Sequence, residues 1–310
     1  MNFAVHLTLV LLLLALAVWT VAARDAFAAV AGFVPYGLLL TLGWLALRAV
    51  DVALTEAAIG AGLTGALLIR AASRLRRTES AARAETPSAA TRALAALLAL
   101  GVAGALAACV MLLPDPAPSL ADEVATHLSS TGVGNPITAV LLSFRAMDTL
   151  LEAVVLLFAL LGIWSLAPDR FWGGRPGPAP VVDPNGILAY LGRVLPPLGI
   201  VIGIYVFWAG ADHPGGKFQG ATILAAMWLL VMMSGLRDAP LVSRTWLRIA
   251  LAAGPAVFIV VGLFGAAAAG AFLAYPPGWS KPLIIVIEAA LLPSLAVTLA
   301  LLLNGPPQRT

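Results

Sequence analysis

The chain has 310 residues, of which 61% are hydrophobic and only 11% are charged, with a formal net charge of +3. This composition excludes an ordinary soluble domain, because several apolar runs are long enough to cross roughly 30 Å of hydrocarbon as helices. A single cysteine, Cys109, and three separated histidines, without an HExxH or GxxxxGKS/T motif, leave no residues for a disulfide framework, metal-dependent hydrolysis or nucleotide hydrolysis. We therefore expect no cofactor on this chain. The arginines cluster in loops, which orients a membrane chain and argues against a nucleic-acid partner.

Hydropathy predicts an all-α, polytopic membrane protein with about nine transmembrane helices. The first apolar run lacks a basic segment before it and a clean cleavage site after it, so we interpret it as a retained helix. The nine spans cover residues 4–23, 27–47, 51–69, 93–113, 137–166, 187–209, 220–235, 246–275 and 281–303.

The distribution of basic residues predicts an outside N-terminus and an inside C-terminus, because positive charge accumulates in cytoplasmic loops. In that orientation only Arg48, Arg145, Lys217 and Lys281 lie outside. The inside segments carry Arg24, Arg70, Arg74, Arg76, Arg77, Arg83, Arg92, Arg170, Arg175, Arg237, Arg244, Arg248 and Arg309.

Two linkers divide the chain into three modules, covering residues 1–83, 84–175 and 176–310. The first linker, 70–92, is rich in Arg, Ala, Ser and Glu, and the second, 167–184, contains five prolines. Neither composition builds a core, so both are expected to be exposed connections. The predicted outer loop 114–135 includes a candidate short surface helix at 121–127.

A charged stripe occupies the fifth span. At about 100° per residue, Arg145, Asp148 and Glu152 fall on one face of a continuous helix. One interpretation is an Arg145–Asp148 ion pair near the interface that orients the helix. That pair leaves Glu152 one turn deeper and unpaired, where it is a candidate for relaying a proton or holding a cation.

The third span carries two carboxylates on different faces. Asp51 is expected to cap the start of the helix, and Glu56 lies about 7 Å further in. A buried carboxylate on a tightly packed helix favours a place on a proton or ion path. The neighbouring stripe is small and predicts close helix contact, with Ala57, Ala61 and Gly65 at i, i+4 and i+8.

The last span contains Glu288 about two turns inside, on the face of Lys281. Snorkelling, a bond to another helix, and transport all fit this position.

A polar, glycine-rich break at residues 210–220 separates two apolar spans. Irregular backbone survives at membrane depth only where protein or water satisfies its polar groups, which predicts a shaped loop or a cavity lining. Two adjacent glycines permit positive φ, and a phosphate cradle is disfavoured because the GKS/T ending is missing. Three polar residues of this segment are expected at the surface: Asp212, His213 and Lys217. The other residues of interest set the shape of the loop: Pro214, Gly215, Gly216, Phe218 and Gly220.

At these residues the chain resembles adjacent subunits of the Mrp-type multisubunit cation/proton antiporters, or of the related membrane-bound hydrogenases, fused into one polypeptide. Residues 210–220 are similar to the GHxxPGGGFxGG motif of the MnhB-like antiporter subunits. Residues 51–60 resemble the DxxxTEAxxG helix, and residues 135–162 resemble the FRGFDTxGE helix, both from the tail of the large Mrp subunit or the MbhD-like and MbhE-like hydrogenase subunits. Lys217 departs from the motif, standing where a third glycine is usual.

The resemblance implies that Glu56, Asp148 and Glu152 line a polar route at a joint in a large assembly like the membrane arm of respiratory Complex I. It implies exchange of Na⁺ or K⁺ for H⁺ with other Mrp-type subunits, in the plasma membrane of a prokaryote. Two alternatives stay open at this point: a membrane-arm subunit of a redox-driven pump, and a non-transporting scaffold whose carboxylates only join helices.

Overall fold

The computed structural model describes residues 3–82, 88–116, 118–180 and 183–310, without the side chains of residues 76–82. Twelve α-helices follow one another in chain order within these ranges, and three of them continue directly into or out of two π-helical segments. The α-helices are Phe3–Ala22 (α1), Ala26–Ala46 (α2), Val50–Thr55 (α3), Gly65–Ala82 (α4), Ala89–Met111 (α5), Ala121–Thr131 (α6), Pro136–Ala139 (α7), Ala146–Ser165 (α8), Ile187–Ala209 (α9), Lys217–Met233 (α10), Thr245–Ala269 (α11) and Ser280–Asn304 (α12).

The all-α, polytopic prediction is confirmed. In the described part of the chain, eight helical stretches are long and apolar enough to cross a membrane, and they match eight of the nine predicted spans. The ninth, predicted at 220–235, is α10, an apolar helix of 17 residues that is shorter than the others. The orientation in the membrane, with the N-terminus outside and the C-terminus inside, remains a prediction based on the distribution of basic residues.

Local sequence explains where several helices begin. Asp25 accepts a hydrogen bond from the Ala28 amide at the start of α2, and Ser88 does the same for Thr91 in α5. Asn135 caps α7 through the amide of Ile137, and Pro136 takes the first helical position, where no amide donor is needed.

Two π-helical segments interrupt the predicted regular helices. The first, Glu56–Thr64, joins α3 to α4, and the second, Val140–Phe144, joins α7 to Arg145. Arg145 has φ −131° and ψ 38°, so the predicted span 137–166 bends here before α8 begins. The inference that Arg145, Asp148 and Glu152 share a regular helical face is wrong in its premise, because Arg145 lies outside the helix.

The centre of the bundle is α12, which packs against α8, α10 and α11. Its Ile284, Ile287, Leu291 and Leu299 are almost completely buried. A second group forms around α2, which packs against α1, α3, α4 and the first π-segment. In contrast, α1 and α5 contain no buried residue: α1 packs against α2 with one side, and both helices leave most of their apolar surface to lipid or to neighbouring protein.

The first linker is largely exposed where its side chains are described, as predicted, but it is helical: α4 continues through Ala82, because alanine and arginine favour helix, and residues 83–87 lie outside the described residues. The second linker differs from its prediction as an exposed connection. The second forms a 3₁₀ turn at Asp169–Phe171 and a short strand, Arg175–Pro176 (β1). That strand pairs antiparallel with Pro307–Arg309 (β2) at the C-terminus, and Gly174 and Pro176 are buried. The candidate surface helix at 121–127 is present as α6.

The two ends of the bundle are distinct. The loop end carries residues 210–216 and the start of α12. The tail end carries β1, β2 and the end of α12. At the tail end the Arg70 guanidinium donates to the Leu303 carbonyl, where a cation satisfies a helix C-terminus.

Close packing of α9 on α10 provides a direct test of the fold. A Cβ atom at Gly220 would lie 2.6 Å from the carbonyl oxygen of Gly203, so the two helices would have to separate. We expect Gly220→Ala to lower the free energy of unfolding of the full chain in detergent by about 1–3 kcal/mol. Gly104→Ala on α5 is the matched control, because no atom lies within 4 Å of its added Cβ. Equal stability of the two variants would contradict this packing.

The ion pairs of Asp238 at the tail end predict that the stability of this region depends on pH. Hydrogen bonds from Arg309 hold the pKa of Asp238 below its usual value, and the charge of Arg175 adds to this effect. A carboxylate with a lowered folded-state pKa stabilises the fold above its unfolded value, roughly 3.9, and loses that contribution as the pH falls through the folded pKa.

We therefore expect Asp238→Asn to speed hydrogen exchange of the β1 and β2 amides at neutral pH, with the difference from the unsubstituted chain vanishing in acid. The effect is expected to be small because the Asp238 side chain is 41% exposed. Asp122→Asn on α6 serves as control. A difference that persists unchanged below pH 3 would contradict the assignment to this ion pair.

Candidate functional site

The three motifs identified in the sequence come together at the loop end. The Ala211 carbonyl accepts hydrogen bonds from the amides of Gly134 and Asn135, and the Gly210 carbonyl accepts one from the Thr138 hydroxyl at 2.6 Å. The Asn135 side-chain amide donates to the His213 carbonyl. The irregular backbone of the loop is thus satisfied by the segment that begins α7, as hydrocarbon surroundings require.

Asp51 joins α3 to the same loop. Its carboxylate accepts hydrogen bonds from the Gly215 amide at 3.1 Å and from the Asn135 side-chain amide at 3.2 Å. The predicted role as a helix cap is wrong, because α3 begins at Val50 and its capping residue is Ala49, which offers no side-chain acceptor. Asp51 lies in the first turn, where its side chain is free to bond outside its own helix.

Two glycines turn the chain from the loop into α10. Gly215 and Gly216 have φ of +149° and +137°, a region that disfavours any residue with a Cβ atom. The Gly216 amide bonds back to the Val206 carbonyl, so the loop folds against the end of α9. This turn starts α10 at Lys217, three residues before the predicted span, and sends the Lys217 side chain inward.

The position of Lys217 is the largest difference between the site predicted from the sequence and the site in the structure. It was expected at the surface of the loop, but only 4% of the residue is exposed. Its ammonium lies 5.3 Å from the centre of the Phe218 ring, and it interacts electrostatically with Glu288 and, more weakly, with Glu152. Sequence alone did not locate it, because hydropathy assigns a lysine beside a glycine loop to water.

A cavity of about 220 Å³ lies beneath the loop. Three carboxylates on three helices reach it: Asp51 from α3, Glu152 from α8 and Glu288 from α12. Lys217 provides the positive charge, and Gln219, which donates to the Thr55 hydroxyl at 2.9 Å, provides an amide. The cavity therefore combines oxygen ligands and titratable groups inside an apolar bundle.

Glu288 is buried at the centre of the bundle, with 3% of the residue exposed. Its carboxylate faces the backbone amide of Lys217 at the N-terminus of α10, where the helix dipole favours negative charge. Snorkelling, one of the three interpretations of this position, does not fit a residue so deeply buried.

Asp148 and Glu152 separate into different environments. The Arg145–Asp148 ion pair is present at 2.6 Å, with both side chains largely exposed on this chain. Glu152, one turn further along α8, lines the cavity, although the residue as a whole is exposed on this chain. Among the described residues it forms no ion pair within 4 Å, as expected for the carboxylate beyond the Arg145–Asp148 pair, and the charge of Lys217 acts on it from a longer distance.

The second π-segment forms part of the cavity wall, through Leu141 and Leu142. Carbonyl groups in this segment bond to side chains: the Thr149 hydroxyl donates to Leu141, and the Tyr275 hydroxyl donates to Leu142, both at 2.6 Å. A π-segment frees backbone groups from the regular helical pattern, and these hydroxyls satisfy them.

Glu56 lies beside the cavity lining and faces a different helix. It is the first residue of the first π-segment, and its carboxylate lies over Gly60 and near Gly37 of α2. Among the described residues it has no hydrogen bond or ion pair. Ala61 packs closely on Gly37, and Gly65 on Val34, so the small stripe does permit close approach of helices.

The exposed rim of the loop contains a separate ion pair. Lys281 contacts both carboxylate oxygens of Asp212 at 2.8 Å, which anchors the loop to the start of α12. This hydrogen bond, together with one from the Gly134 amide, keeps the pKa of Asp212 below its usual value. The neighbouring His213 is exposed.

Polar residues of the site that sequence reasoning did not single out include Thr55, Asn135, Gln219 and Tyr275. Only Asn135 carried a usable local signal, since an asparagine before a proline is a typical start of a helix. The other three gain their roles from partners more than a hundred residues away, which no local pattern reveals.

Comparison with known families agrees with this architecture. Residues 11–77 match MbhD, a family of MBH subunits, and residues 187–304 match the family described as "Domain related to MnhB subunit of Na+/H+ antiporter". An uncharacterized protein of Methanocaldococcus jannaschii is 25% identical over 162 residues, which are 47% of this chain and 62% of that protein.

Two solved structures have a similar fold. In the Mrp complex from Dietzia sp. DQ12-45-1b, one chain aligns with a TM-score of 0.72 and 25% identity, over 98% of this chain and 35% of that chain. In the membrane-bound sulfane sulfur reductase, an archaeal respiratory membrane complex, one chain aligns with a TM-score of 0.57 and 23% identity, over 69% of this chain and 97% of that chain.

This chain thus spans about a third of the length of its Mrp relative and less than two thirds of its curated relative. At 23% identity, the similarity to the reductase chain is evidence of a shared fold and of nothing further. Two family matches at opposite ends of the chain, together with an alignment across almost all of it, lead to one assignment: the polypeptide joins an MbhD domain and an MnhB-related domain in a single multi-pass membrane chain.

Proposed function

We propose that this chain is an integral subunit of a monovalent cation/proton antiporter complex of the Mrp type, in which its intramembrane carboxylates form part of the ion or proton path. The observation that carries this proposal is the convergence of Asp51, Glu152 and Glu288 on one cavity together with the buried Lys217. The transported ions are H⁺ and Na⁺ or K⁺, and the location is the plasma membrane of a prokaryote.

The energetics of buried charge favour a transport role. An ionised side chain near the bilayer centre costs at least about 2.5 kcal/mol on insertion scales, and uncompensated charges cost more. Glu152, Glu288 and Lys217 nevertheless meet around a cavity, and among the described residues none of them forms an ion pair within 4 Å. Groups that are close but not locked together are suited to exchanging protons or a cation with the cavity.

A scaffold role predicts a different arrangement. Ion pairs that join elements of this chain do occur, at Asp212–Lys281 and at Arg309–Asp238, with donor–acceptor distances of 2.6 to 2.8 Å. Both lie at the ends of the bundle: the first connects the loop to α12, and the second connects β2 to the segment between α10 and α11. The carboxylates around the cavity lack such direct pairing, which favours the path over the scaffold.

The cavity accounts for part of the predicted path. Glu152 and Asp51 line it, Glu288 joins them, and Glu56 and Asp148 flank it from the first π-segment and from the Arg145 bend. We propose that Glu56 and Asp148 continue the path toward neighbouring subunits. The exposed apolar surfaces of α1 and α5, and the much greater length of the Mrp relative, support the existence of such subunits.

The second candidate function is a membrane-arm subunit of a redox-driven ion pump. The MbhD match over residues 11–77 favours it, because that domain takes its name from MBH. Purification of the native complex discriminates the two functions: large antiporter subunits alone support the antiporter, whereas nickel–iron or iron–sulfur subunits support the pump.

Neutralising the cavity carboxylates tests the path. We expect Glu152→Gln and Glu288→Gln, each in the assembled complex, to slow pH-gradient-driven Na⁺ exchange in membrane vesicles by tenfold or more, because a fixed amide neither binds a proton nor balances a cation. A factor of ten corresponds to about 1.4 kcal/mol. Glu56→Gln is expected to act in the same direction.

Glu123→Gln on the exposed helix α6 is the matched control, since it makes the same chemical change far from the cavity. Assembly of each variant is checked by co-purification of the partner subunits. Normal exchange with Glu56→Gln, Glu152→Gln and Glu288→Gln in assembled complexes would reject the path and leave the scaffold.

A further inference from the structure

We propose that Lys217 is a resident cation of the cavity, an ammonium that takes the charge-balancing place between Glu152 and Glu288 and thereby keeps Na⁺ and K⁺ out. This assignment rests on the proposed role of the cavity in ion exchange and specifies which ions it admits. With Lys217 in place the cavity exchanges protons, and metal cations cross elsewhere in the complex.

The position of Lys217 supports a role inside the cavity. The residue is 4% exposed, and the side chain starts from the first residue of α10, directly after the turn at Gly215 and Gly216. Among the described residues no hydrogen bond or ion pair within 4 Å ties down the ammonium, in contrast to Lys281, which contacts Asp212 at 2.8 Å. Lys217 is therefore a charge inside the cavity and not a clamp between helices.

The charged groups around Lys217 explain why a cation belongs there. Glu288 from α12 interacts with it most strongly, Glu152 from α8 follows, and Asp51 from α3 lines the same cavity. Three ionised carboxylates without a cation would be prohibitively unfavourable in an apolar bundle. The ammonium of Lys217 offsets part of this negative charge, so the cavity does not require a metal ion to do so.

The same groups would hold a metal ion if the ammonium were removed. Monovalent metal cations are hard ions that bind oxygen, and carboxylates and amide carbonyls are suitable ligands. Carboxylate oxygens of Glu152 and Glu288 and the side-chain amide of Gln219 line the cavity around the space that the Lys217 side chain occupies. A lysine tethered at this point competes with a metal ion at a high effective local concentration.

The test replaces Lys217 and measures metal binding by thermal unfolding of the full chain in detergent, in NaCl, KCl or choline chloride at equal ionic strength. We expect the unsubstituted chain to unfold at the same temperature in all three salts. Lys217→Gly is expected to unfold roughly 2–4 °C higher in NaCl or KCl than in choline chloride, because a ligand that binds only the folded state stabilises it.

Lys217→Gly combined with Glu288→Gln is the matched control and is expected to lose the salt-specific shift, since one ligand of the new site is missing. If the glycine variant does not fold, Lys217→Gln keeps most of the side-chain volume, supplies a carbonyl oxygen, and is expected to show the same shift. An equal response of the unsubstituted chain and the Lys217 variants to Na⁺ would overturn the proposal.

The outcome is separable from that of the proposed function. Loss of exchange in Glu152→Gln and Glu288→Gln, together with no salt-specific shift in Lys217→Gly, would reject the resident cation and retain the path. Normal exchange in the carboxylate variants would reject the path, and with it the assignment of Lys217 to proton exchange, whatever the unfolding temperatures are.

Discussion

Hydrocarbon offers no hydrogen-bond partner, so each interruption of a membrane helix must be satisfied by the protein itself. This chain has three such interruptions in its described part: the loop 210–216, the first π-segment and the bend at Arg145. The loop is bonded to α3 and to the segment before α7, and the bend is bonded to Thr149 and Tyr275. The bonds from the loop place it beside the start of α3 and the segment before the bend, and the cavity lies among these elements.

The same constraint sorts the charged residues into two groups. Where carboxylate and cation reach the ends of the bundle, they pair directly, as Asp212 does with Lys281 and Asp238 with Arg309. In the interior the positive and negative groups share a cavity without direct pairing. The end pairs hold the loop and the tail in position, and so maintain the backbone geometry on which the interior cavity depends.

One part of the bundle is well packed within this chain, and another part leaves its apolar surface uncovered. Helix α12 is surrounded on most sides by α8, α10 and α11, and it presents Glu288 at a well-packed position. Helices α1 and α5 have no fully buried residue and leave large apolar side chains exposed on this chain. A charged cavity at the centre and uncovered apolar helices at the margin are what a component of a larger membrane assembly requires, since neighbouring subunits would complete its surface.

The sequence by itself determined the fold class, the approximate positions of the spans, and the motifs that carry the resemblance to Mrp-type subunits. Length, hydropathy and single polar residues in apolar runs are local properties, and a local pattern is sufficient to read them. It also identified Glu152, Glu288 and Asp51 as residues of interest, because a carboxylate in an apolar span stands out whatever the tertiary structure is.

Tertiary structure alone decided which of these residues meet. Asp51 bonds to a loop more than 160 residues away, Lys217 turns inward because of the two glycines before it, and the Arg145 bend removes the regular helical phase on which face-sharing arguments depend. Helical periodicity predicts neighbours within one regular helix and carries no information about partners on another. The cavity is formed by residues from several helices, so its composition, and the buried place of Lys217 in it, could not be read from any one segment.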